Sequence, residues 1–186
     1  MDSILIQYVG TPFGELILGS FREQLCLCDW RHRKNRTQID DRICRGLKAD
    51  FHEATSGIID MAVNQLREYF SGTRKSFTIP LLPVGSGFQK SVWSELLKIE
   101  YGTTETYSGL AQKIGQPLAI RAIASANGAN GLSIFIPCHR VIGSRGEMTG
   151  YAGGIAAKSK LLRLEGSILQ KQLPLFGPDA FPRTSG

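Results

Sequence analysis

At residues 132–140 the chain reads Leu132-Ser133-Ile134-Phe135-Ile136-Pro137-Cys138-His139-Arg140. The apolar run predicts a buried strand, and the proline after it predicts a turn that presents the next side chain. Cys138 stands there beside an imidazole and a guanidinium, and a neighbouring positive group favours the thiolate, which is the nucleophilic form. An isolated cysteine is more often a buried core residue. The rest of the chain therefore decides between the two interpretations.

The length and composition predict two folding units. The chain has 186 residues, of which 42% are hydrophobic, and this is enough to bury a core. The extended stretch Ile79-Pro80-Leu81-Leu82-Pro83-Val84-Gly85 is typical of a linker. We predict an N-terminal domain at residues 1–85, a second domain at residues 86–170 and a flexible tail at residues 171–186.

The formal charge of +6 is unevenly distributed. Residues 1–87 hold 11 basic against 10 acidic side chains, whereas residues 88–171 hold 10 against 5. A basic half that carries a candidate nucleophile favours a polyanionic partner, most often nucleic acid, over a merely soluble basic protein. The four cysteines, with no leading apolar segment and no run long enough to span a bilayer, predict a cytoplasmic protein without membrane contact.

The N-terminal half has the pattern of a small antiparallel sheet with helices. The predicted elements are strands at residues 4–9, 15–19 and 24–30, a charged loop at 31–36 and an amphipathic helix at 58–70. In the third strand Cys26 and Cys28 are two residues apart, so we expect both thiols on one face.

The second half has the pattern of a helical domain. Helices are predicted from Ser86, at residues 106–114, at 117–127 and at 155–164. Ser86 and Gln89 match a capping box. The middle two helices, with the glycine-containing turn between them, have the shape of a helix-turn-helix, although many helical hairpins bind nothing.

Glu165 follows the last helix, at the end where the helix dipole disfavours a carboxylate. Two interpretations are open. Glu165 is either a solvated surface residue, or it accepts a hydrogen bond from His139 so that the other ring nitrogen can take a proton from Cys138.

These residues and others, in order and spacing, resemble a known family. They are Tyr107, Arg121-Ala122, Ala126-Asn127, Asn130, residues 136–143, residues 150–154, Lys158, Leu161-Leu162 and Glu165-Gly166. The family is the methylated-DNA-protein-cysteine methyltransferases, or O6-alkylguanine-DNA alkyltransferases, and the resemblance is closest to the bacterial constitutive single-chain type. It implies an α+β fold, in which a ribonuclease H-like N-terminal domain precedes a helical domain with a winged helix-turn-helix-like DNA-binding motif.

By that resemblance the protein repairs DNA. It would take a methyl or larger alkyl group from O6-alkylguanine, or from O4-alkylthymine, onto Cys138 and thereby inactivate itself. His139 would deprotonate Cys138 through a water, Glu165 would orient His139, and Tyr107 would donate a proton to the leaving guanine. The residues implied to line the substrate pocket are Val141, Tyr151, Ala152 and Gly153.

The resemblance also implies double-stranded DNA as the partner of a monomeric protein. Arg121 would enter the base stack where the damaged nucleotide has been flipped out. Its helix would lie in the minor groove, and Asn130 would be the hinge between this helix and the active-site loop. The other residues implied to lie close to DNA are Ala122, Ala126, Asn127 and Gly128.

No cofactor is implied, although some relatives carry a structural zinc. The candidate ligands here are Cys26, Cys28, His32 and Cys44, whose spacing is not a standard one, so we expect no metal.

Two positions depart from the family pattern. Gly131 stands where a proline is usual, which predicts a looser loop, and Ala152 stands where some relatives have serine. Two rival functions are weaker. Alkyltransferase-like recognition proteins lack the acceptor cysteine, and a Cys-His hydrolase needs an oxyanion hole that no sequence feature indicates.

The tail contains Gln172-Leu173-Pro174-Leu175-Phe176. This stretch resembles the pentapeptide with which bacterial polymerases and repair proteins dock on the replication sliding clamp. Gln172, Leu173, Leu175 and Phe176 would make the contacts, with the apolar side chains filling one pocket. The alternative is that these apolar residues fold back onto the protein's own surface.

Overall fold

A computed structural model describes residues 2–168 of the chain, and its first half is built on a four-stranded sheet. The strands are β1 (Ile4–Thr11), β2 (Gly14–Phe21), β3 (Gln24–Trp30) and β4 (Phe51–Glu53), in the order β3-β2-β1-β4. The first three are antiparallel, as predicted, but the sheet has a fourth strand that was not predicted, β4, and it runs parallel to β1. The reason is α1 (Arg36–Leu47), an unpredicted helix that carries the chain back across the sheet before β4.

The sheet is buried on both faces. On one face, Ile4, Ile6 and Ile17 pack against Ile39 and Ile43 of α1. On the other face, β2 and β3 pack against α2 (Gly57–Phe70) and against the second half of the chain. The second half of the chain therefore packs directly against the sheet.

A β-bulge separates the two cysteines of β3. Leu18 pairs with Cys28 and Ser20 pairs with Leu25, which leaves Cys26 as an extra residue in β3. Cys26 belongs to the core on the α1 face, whereas Cys28 belongs to the core on the opposite face. The expectation of a shared face is wrong, because one inserted residue reverses the alternation of a strand.

The second half consists of helices around a short pair of parallel strands. Its elements are α3 (Gly87–Leu96), β5 (Glu105–Thr106), α4 (Tyr107–Lys113), α5 (Ile120–Gly128), β6 (Val141–Ile142) and α6 (Gly154–Leu164). The predicted capping box opens α3: Ser86 Oγ accepts from the Gln89 amide at 3.2 Å, and Gln89 Oε1 accepts from the Ser86 amide at 2.9 Å. The helices α3, α4 and α5 pack on one another, which places α5 on the outside of the molecule.

Residues 132–136 form a buried turn and not the predicted strand. The amide of Ile136 donates to the carbonyl of Leu132 at 2.8 Å, and Ile134 has a φ of 75°. All five side chains are buried, so the hydrophobicity of the run reflects burial and not strand pairing. Cys138 consequently opens a single 3₁₀ turn, Cys138–Arg140, and does not sit at a strand end.

One apolar core joins the two halves of the chain. It contains Leu18 and Leu66 from the first half together with Trp93, Ile123 and Leu161 from the second. The predicted linker is also attached to the sheet, since the amide of Leu82 donates to the carbonyl of Leu25 at 2.8 Å. Packing is therefore continuous across the boundary drawn at residues 85 and 86.

The last helix, α6, buries Leu161 and Leu162 fully, but Ile155 is 45% exposed. Ile155 lies in the first turn, where the helix projects beyond the core. Among residues 2–168, no helix is both long and apolar enough to cross a membrane.

Candidate active site

A groove of about 980 Å³ brings most of the predicted site residues together. Cys138 lies in its wall although its own surface is only 3% exposed. The other predicted site residues in the lining are Tyr107, Arg121, Asn127, Gly128, Tyr151, Ala152 and Gly153. The first half of the chain also contributes, with residues 13–15, Trp30 and residues 32–35. None of these was predicted from the sequence to line this groove, and only His32 was considered for a site at all, as a zinc ligand.

The thiol of Cys138 is held by Asn130. Asn130 Nδ2 lies 3.1 Å from Sγ and 2.9 Å from the carbonyl oxygen of Ile136, and Asn130 Oδ1 accepts from the amide of Leu132 at 2.9 Å. This one side chain therefore ties the end of α5 to the turn that precedes the cysteine. The contact with sulfur was not expected, because the family resemblance implies only a hinge role for Asn130.

Burial raises the pKa of the Cys138 thiol above its ordinary value. The hydrogen bond from Asn130 and the charges of Lys158 and Arg33 act in the opposite direction without cancelling the rise. The resting sulfur is therefore a thiol, and it needs a base before it can attack.

His139 and Glu165 form a buried pair behind the groove. Nε2 of His139 lies 2.8 Å from Oε1 of Glu165, and both side chains are fully buried. A carboxylate can only accept, so Nε2 carries the hydrogen and Nδ1 keeps its lone pair. Nδ1 has no hydrogen-bond partner among the described residues. The surface interpretation of Glu165 is wrong, and the imidazole is left with one nitrogen able to take a proton.

Glu165 is held by more groups than the sequence predicted. Arg140 donates to both of its oxygens, at 2.8 and 3.0 Å, and Tyr69 of α2 donates to Oε1 at 2.6 Å. Arg140 thus faces the carboxylate, and its third contact is with the carbonyl of Ile99 at 2.5 Å. Tyr69 was missed because its spacing in the amphipathic helix marked it only as a core residue.

These contacts set the charges of the pair. Burial raises the pKa of Glu165, but the hydrogen bonds from His139 and Arg140 and the positive charge of Arg140 outweigh it and lower the pKa to about 2. Burial lowers the pKa of His139, and the opposing effect of Glu165 does not reverse this. At neutral pH the pair is a carboxylate and a neutral imidazole, which is the form that can act as a base.

Lys158 bridges two loops beside the thiol. Its buried amine donates to the carbonyl of Val141 at 2.6 Å and to that of Thr149 at 2.8 Å. Burial lowers the pKa of Lys158 to about 8. Lys158 thereby fixes Val141, a predicted pocket residue that is itself buried, and also places a positive charge near Cys138.

Tyr107 stands across the groove from the acceptor loop, and Asn127 lies between them. Asn127 Nδ2 is 3.5 Å from the Tyr107 hydroxyl and 3.4 Å from the carbonyl of Cys138. Burial raises the pKa of Tyr107, so its hydroxyl keeps its proton at neutral pH and is able to donate it.

The outer face of α5 presents Arg121, Ala122 and Gly128 to solvent, whereas Ala126 and Asn127 are buried. The carbonyl of Ala126 accepts from Trp93, so this residue belongs to the core side of the helix. Arg121 makes no hydrogen bond or ion pair within residues 2–168.

Three successive carbonyls at the C-terminal end of α5 accept hydrogen bonds from arginines of the first half. Arg33 donates to Gly128 at 2.5 Å and to Asn130 at 3.1 Å, and Arg42 donates to Ala129 at 2.7 Å. Positive groups are favourable at this end of a helix because the peptide dipoles leave it negative. Arg33 of the predicted charged loop and Arg42 of α1 therefore connect the first half of the chain to the end of α5.

The pocket loop rests on Trp30. A Cβ at Gly153 would lie only 2.5 Å from the indole ring, so the loop approaches the ring as closely as it does because this residue has no side chain. Tyr151 makes an edge-to-face contact with the same ring at 6.0 Å between centroids. Ala152 lies between these two residues in the groove lining.

The four candidate zinc ligands do not come together. Within residues 2–168 no group of three or more histidine, cysteine, aspartate and glutamate side chains is arranged to hold a metal. The β-bulge explains part of this, because it sends Cys26 and Cys28 to opposite faces.

A thiol, a neutral imidazole behind it and a phenol across a wide groove define a protein that uses a cysteine nucleophile on a large substrate. Comparison with known proteins is more specific. Residues 87–167 match the family described as 6-O-methylguanine DNA methyltransferase, DNA binding domain. A methylated-DNA–protein-cysteine methyltransferase of Methanosarcina acetivorans is 41% identical over 157 residues, which cover 84% of this chain and 95% of that protein.

Two further relatives agree. The constitutive methylated-DNA–protein-cysteine methyltransferase of Bacillus subtilis is 38% identical over 164 residues, covering 83% of this chain and 91% of that protein. The crystal structure of Mycobacterium tuberculosis OGT in complex with DNA has 37% identity and a TM-score of 0.75, covering 88% of this chain and 93% of that one. The present chain belongs to the methylated-DNA–protein-cysteine methyltransferase family.

Proposed function

We propose that this protein repairs DNA by transferring the alkyl group of O6-alkylguanine to Sγ of Cys138. The observation that carries the proposal is a thiol, 3.1 Å from Asn130 Nδ2, in the wall of a groove that also holds a phenol and an exposed arginine. Its relatives are named for transfer from methylated DNA to a protein cysteine. O4-alkylthymine presents the same kind of alkyl carbon on an exocyclic oxygen, and we include it as a substrate.

The reaction is a displacement at the alkyl carbon. Nδ1 of His139 takes the proton of Cys138, directly or through a water, while Glu165 holds Nε2. The thiolate forms the S–C bond, the C–O6 bond breaks, and its electron pair goes to the guanine. Tyr107 donates its proton to the leaving guanine. The protonated His139 then gives the former thiol proton back to Tyr107, so the products are an S-alkylcysteine and an unmodified guanine.

The transfer occurs once per chain. The alkyl group ends in a carbon–sulfur bond to Cys138. This thioether is not cleaved by the thiol–disulfide exchange that regenerates disulfide enzymes. Each molecule of protein therefore repairs one lesion and is then inactive.

The substrate is alkylated guanine in double-stranded DNA. A relative from Mycobacterium tuberculosis has been crystallised with DNA. The alkylated oxygen lies inside the base stack, so the nucleotide must leave the duplex to reach Cys138. Arg121 is the residue we assign to the vacated space, because it is exposed, lines the same groove and has no partner among the described residues. Ala122 and Gly128 on the same face allow close approach to the DNA backbone.

We further assign the ribonuclease H-like fold to residues 1–85 and the winged helix-turn-helix to residues 86–170. The strand order with β4 parallel to β1 supports the first, and the packing of α3, α4 and α5 supports the second. We retain a monomer in the cytoplasm as the working state, in line with the four free cysteines of residues 2–168.

Intact mass after incubation with a duplex that contains one O6-methylguanine tests the proposal. We expect one methyl group per chain, located on Cys138 by peptide mapping, and no transfer to Cys138→Ser. Several turnovers per chain, or a methyl group on Cys26, Cys28 or Cys44, would disprove it.

The sliding-clamp motif at Gln172, Leu173, Leu175 and Phe176 lies outside the described residues, and we keep it as a proposal from the sequence. A labelled peptide of residues 168–181 is titrated against a bacterial clamp. Saturable binding that is lost in the doubly substituted peptide, Leu175→Ala with Phe176→Ala, is expected. Binding that the substitutions leave unchanged would return the segment to an ordinary tail.

A further inference from the structure

The turn before α5 displays an apolar side chain. The amide of Ala119 donates to the carbonyl of Gln116 at 2.9 Å, which closes a tight turn with Pro117 and Leu118 at its centre. Proline restricts the backbone of such a turn before any partner binds. Leu118 at its tip is 98% exposed.

This apolar tip is adjacent in the chain to residues that line the groove. Two residues further along the chain, Ile120 is 41% exposed and lines the groove, and Ile155 of α6, 45% exposed, lines it as well. Arg121, without a partner among residues 2–168, follows immediately. Leu118 and Ile120 therefore lie within three residues, along the chain, of the side chain that we assign to the base stack.

An occupant of this surface has to accept both a free guanidinium and exposed hydrocarbon. The minor groove of DNA does so, since it is lined by sugars and base edges between two rows of phosphates. Proteins that bind there often insert Leu, Ile or similar side chains at a base step and thereby unstack it. A second copy of this chain would bring another positive surface to the same place, given the excess of basic residues in the second half.

We propose that Leu118 is a DNA-contacting residue that packs against the sugars and base edges of the minor groove beside the step that Arg121 enters, with Ile120 next to it. The inference rests on the proposed function only in taking DNA as the occupant of the groove. It adds an apolar contact to the charged one, and so predicts that part of the affinity for duplex DNA does not depend on salt.

Affinity for an undamaged duplex, measured at several salt concentrations, tests the inference without requiring any alkyl transfer. Leu118→Ala is expected to weaken binding about five- to tenfold, the effect of partly burying one leucine side chain. The slope of log affinity against log salt should stay that of the unsubstituted protein, since no phosphate contact is lost. Arg121→Ala should instead make that slope shallower, because it removes a positive charge from the surface that binds the DNA.

Leu97→Ala is the matched control, because Leu97 is another exposed leucine, 52% exposed, but lies at the end of α3 and not in the turn before Arg121. Equal affinity of Leu118→Ala and Leu97→Ala would overturn the inference. Concentration-dependent dimerisation that only Leu118→Ala abolishes would overturn it too, by assigning the surface to a second copy. Transfer from the free base O6-benzylguanine to Cys138, followed by mass, reports separately on the proposed function and should be the same in both variants.

Discussion

Tyr69 of α2 donates a hydrogen bond of 2.6 Å to Oε1 of Glu165, the same oxygen that accepts from His139. A side chain of the first half of the chain thus holds the carboxylate that we propose orients His139 of the second half. The contact is buried, and it adds a polar link to the apolar core that the two halves share.

Glu165→Gln should weaken both activity and stability. It leaves Arg140 and His139 buried without their anionic partner, a kind of loss that costs about 3–5 kcal/mol. The rate of transfer from O6-benzylguanine should fall, because a neutral amide holds the tautomer of His139 less firmly. Urea unfolding and intact-mass time courses measure the two effects.

Tyr69→Phe is the control for this prediction, because it removes one hydrogen bond and leaves the charges in place. The pH dependence of stability separates the two variants. The pKa of Glu165 is lowered to about 2, so its contribution is present above its unfolded value and is lost as pH falls from about 4.5 toward 2. We expect this loss in Tyr69→Phe and not in Glu165→Gln. Identical acid transitions in both variants would contradict the assignment.

Lys158→Met should slow the alkylation of Cys138. The substitution keeps the length of the side chain but removes a charge that lowers the pKa of the thiol, along with two hydrogen bonds to loop carbonyls. Lys158 loses its own charge as pH rises through about 8, so the rate advantage over the variant should shrink above that pH. Lys160→Met, exposed on the same helix, should behave like the unsubstituted protein. A rate ratio that stays constant across this range would argue against the electrostatic role.

Arg121→Ala should slow repair of duplex DNA far more than reaction with free O6-benzylguanine. Only the duplex reaction includes the cost of about a few kcal/mol for extruding a nucleotide. Single-turnover rates on the two substrates give the comparison, and Arg145→Ala, which alters another exposed arginine, serves as control. Similar losses of rate on both substrates would show that Arg121 does not act in extruding the nucleotide.

Arg33→Ala should lower the free energy of unfolding and leave the C-terminal end of α5 less firmly positioned. Arg33 donates to the carbonyls of Gly128 and Asn130 and pairs with the buried carboxylate of Asp29 at 2.7 Å. Asp29 keeps Arg36 as a partner at 2.9 Å, so Arg33→Ala is expected to cost about 1.5–3 kcal/mol, the range for losing a hydrogen bond to a charged group. Arg45→Ala, which breaks an exposed pair, should cost under about 1 kcal/mol. Thermal unfolding measures both. Equal melting temperatures of the two variants would show that the contacts of Arg33 do not stabilise the protein.

Much of the fold could be predicted where local pattern and final structure agree. The strands β1 to β3, the helix α2 and the capping box of α3 follow from alternation, helical spacing and end residues close together in sequence. The helix α1 could not, because it buries only Ile39 and Ile43 among charged residues. The buried turn at residues 132–136 was mistaken for a strand because complete burial hides any period.

The sequence by itself determined which reactive groups the acceptor site has: Cys138 supplies a thiol, His139 an imidazole and Tyr107 a phenol. Which nitrogen of His139 is free, how Glu165 stays charged and how Asn130 meets the sulfur were decided only by the tertiary structure. These properties depend on burial and on partners such as Tyr69, Asn130 and Lys158, which lie between 8 and 96 positions away from the group they contact. Hydrogen bonds and desolvation act over a few ångströms of space, and no spacing in the sequence specifies that distance.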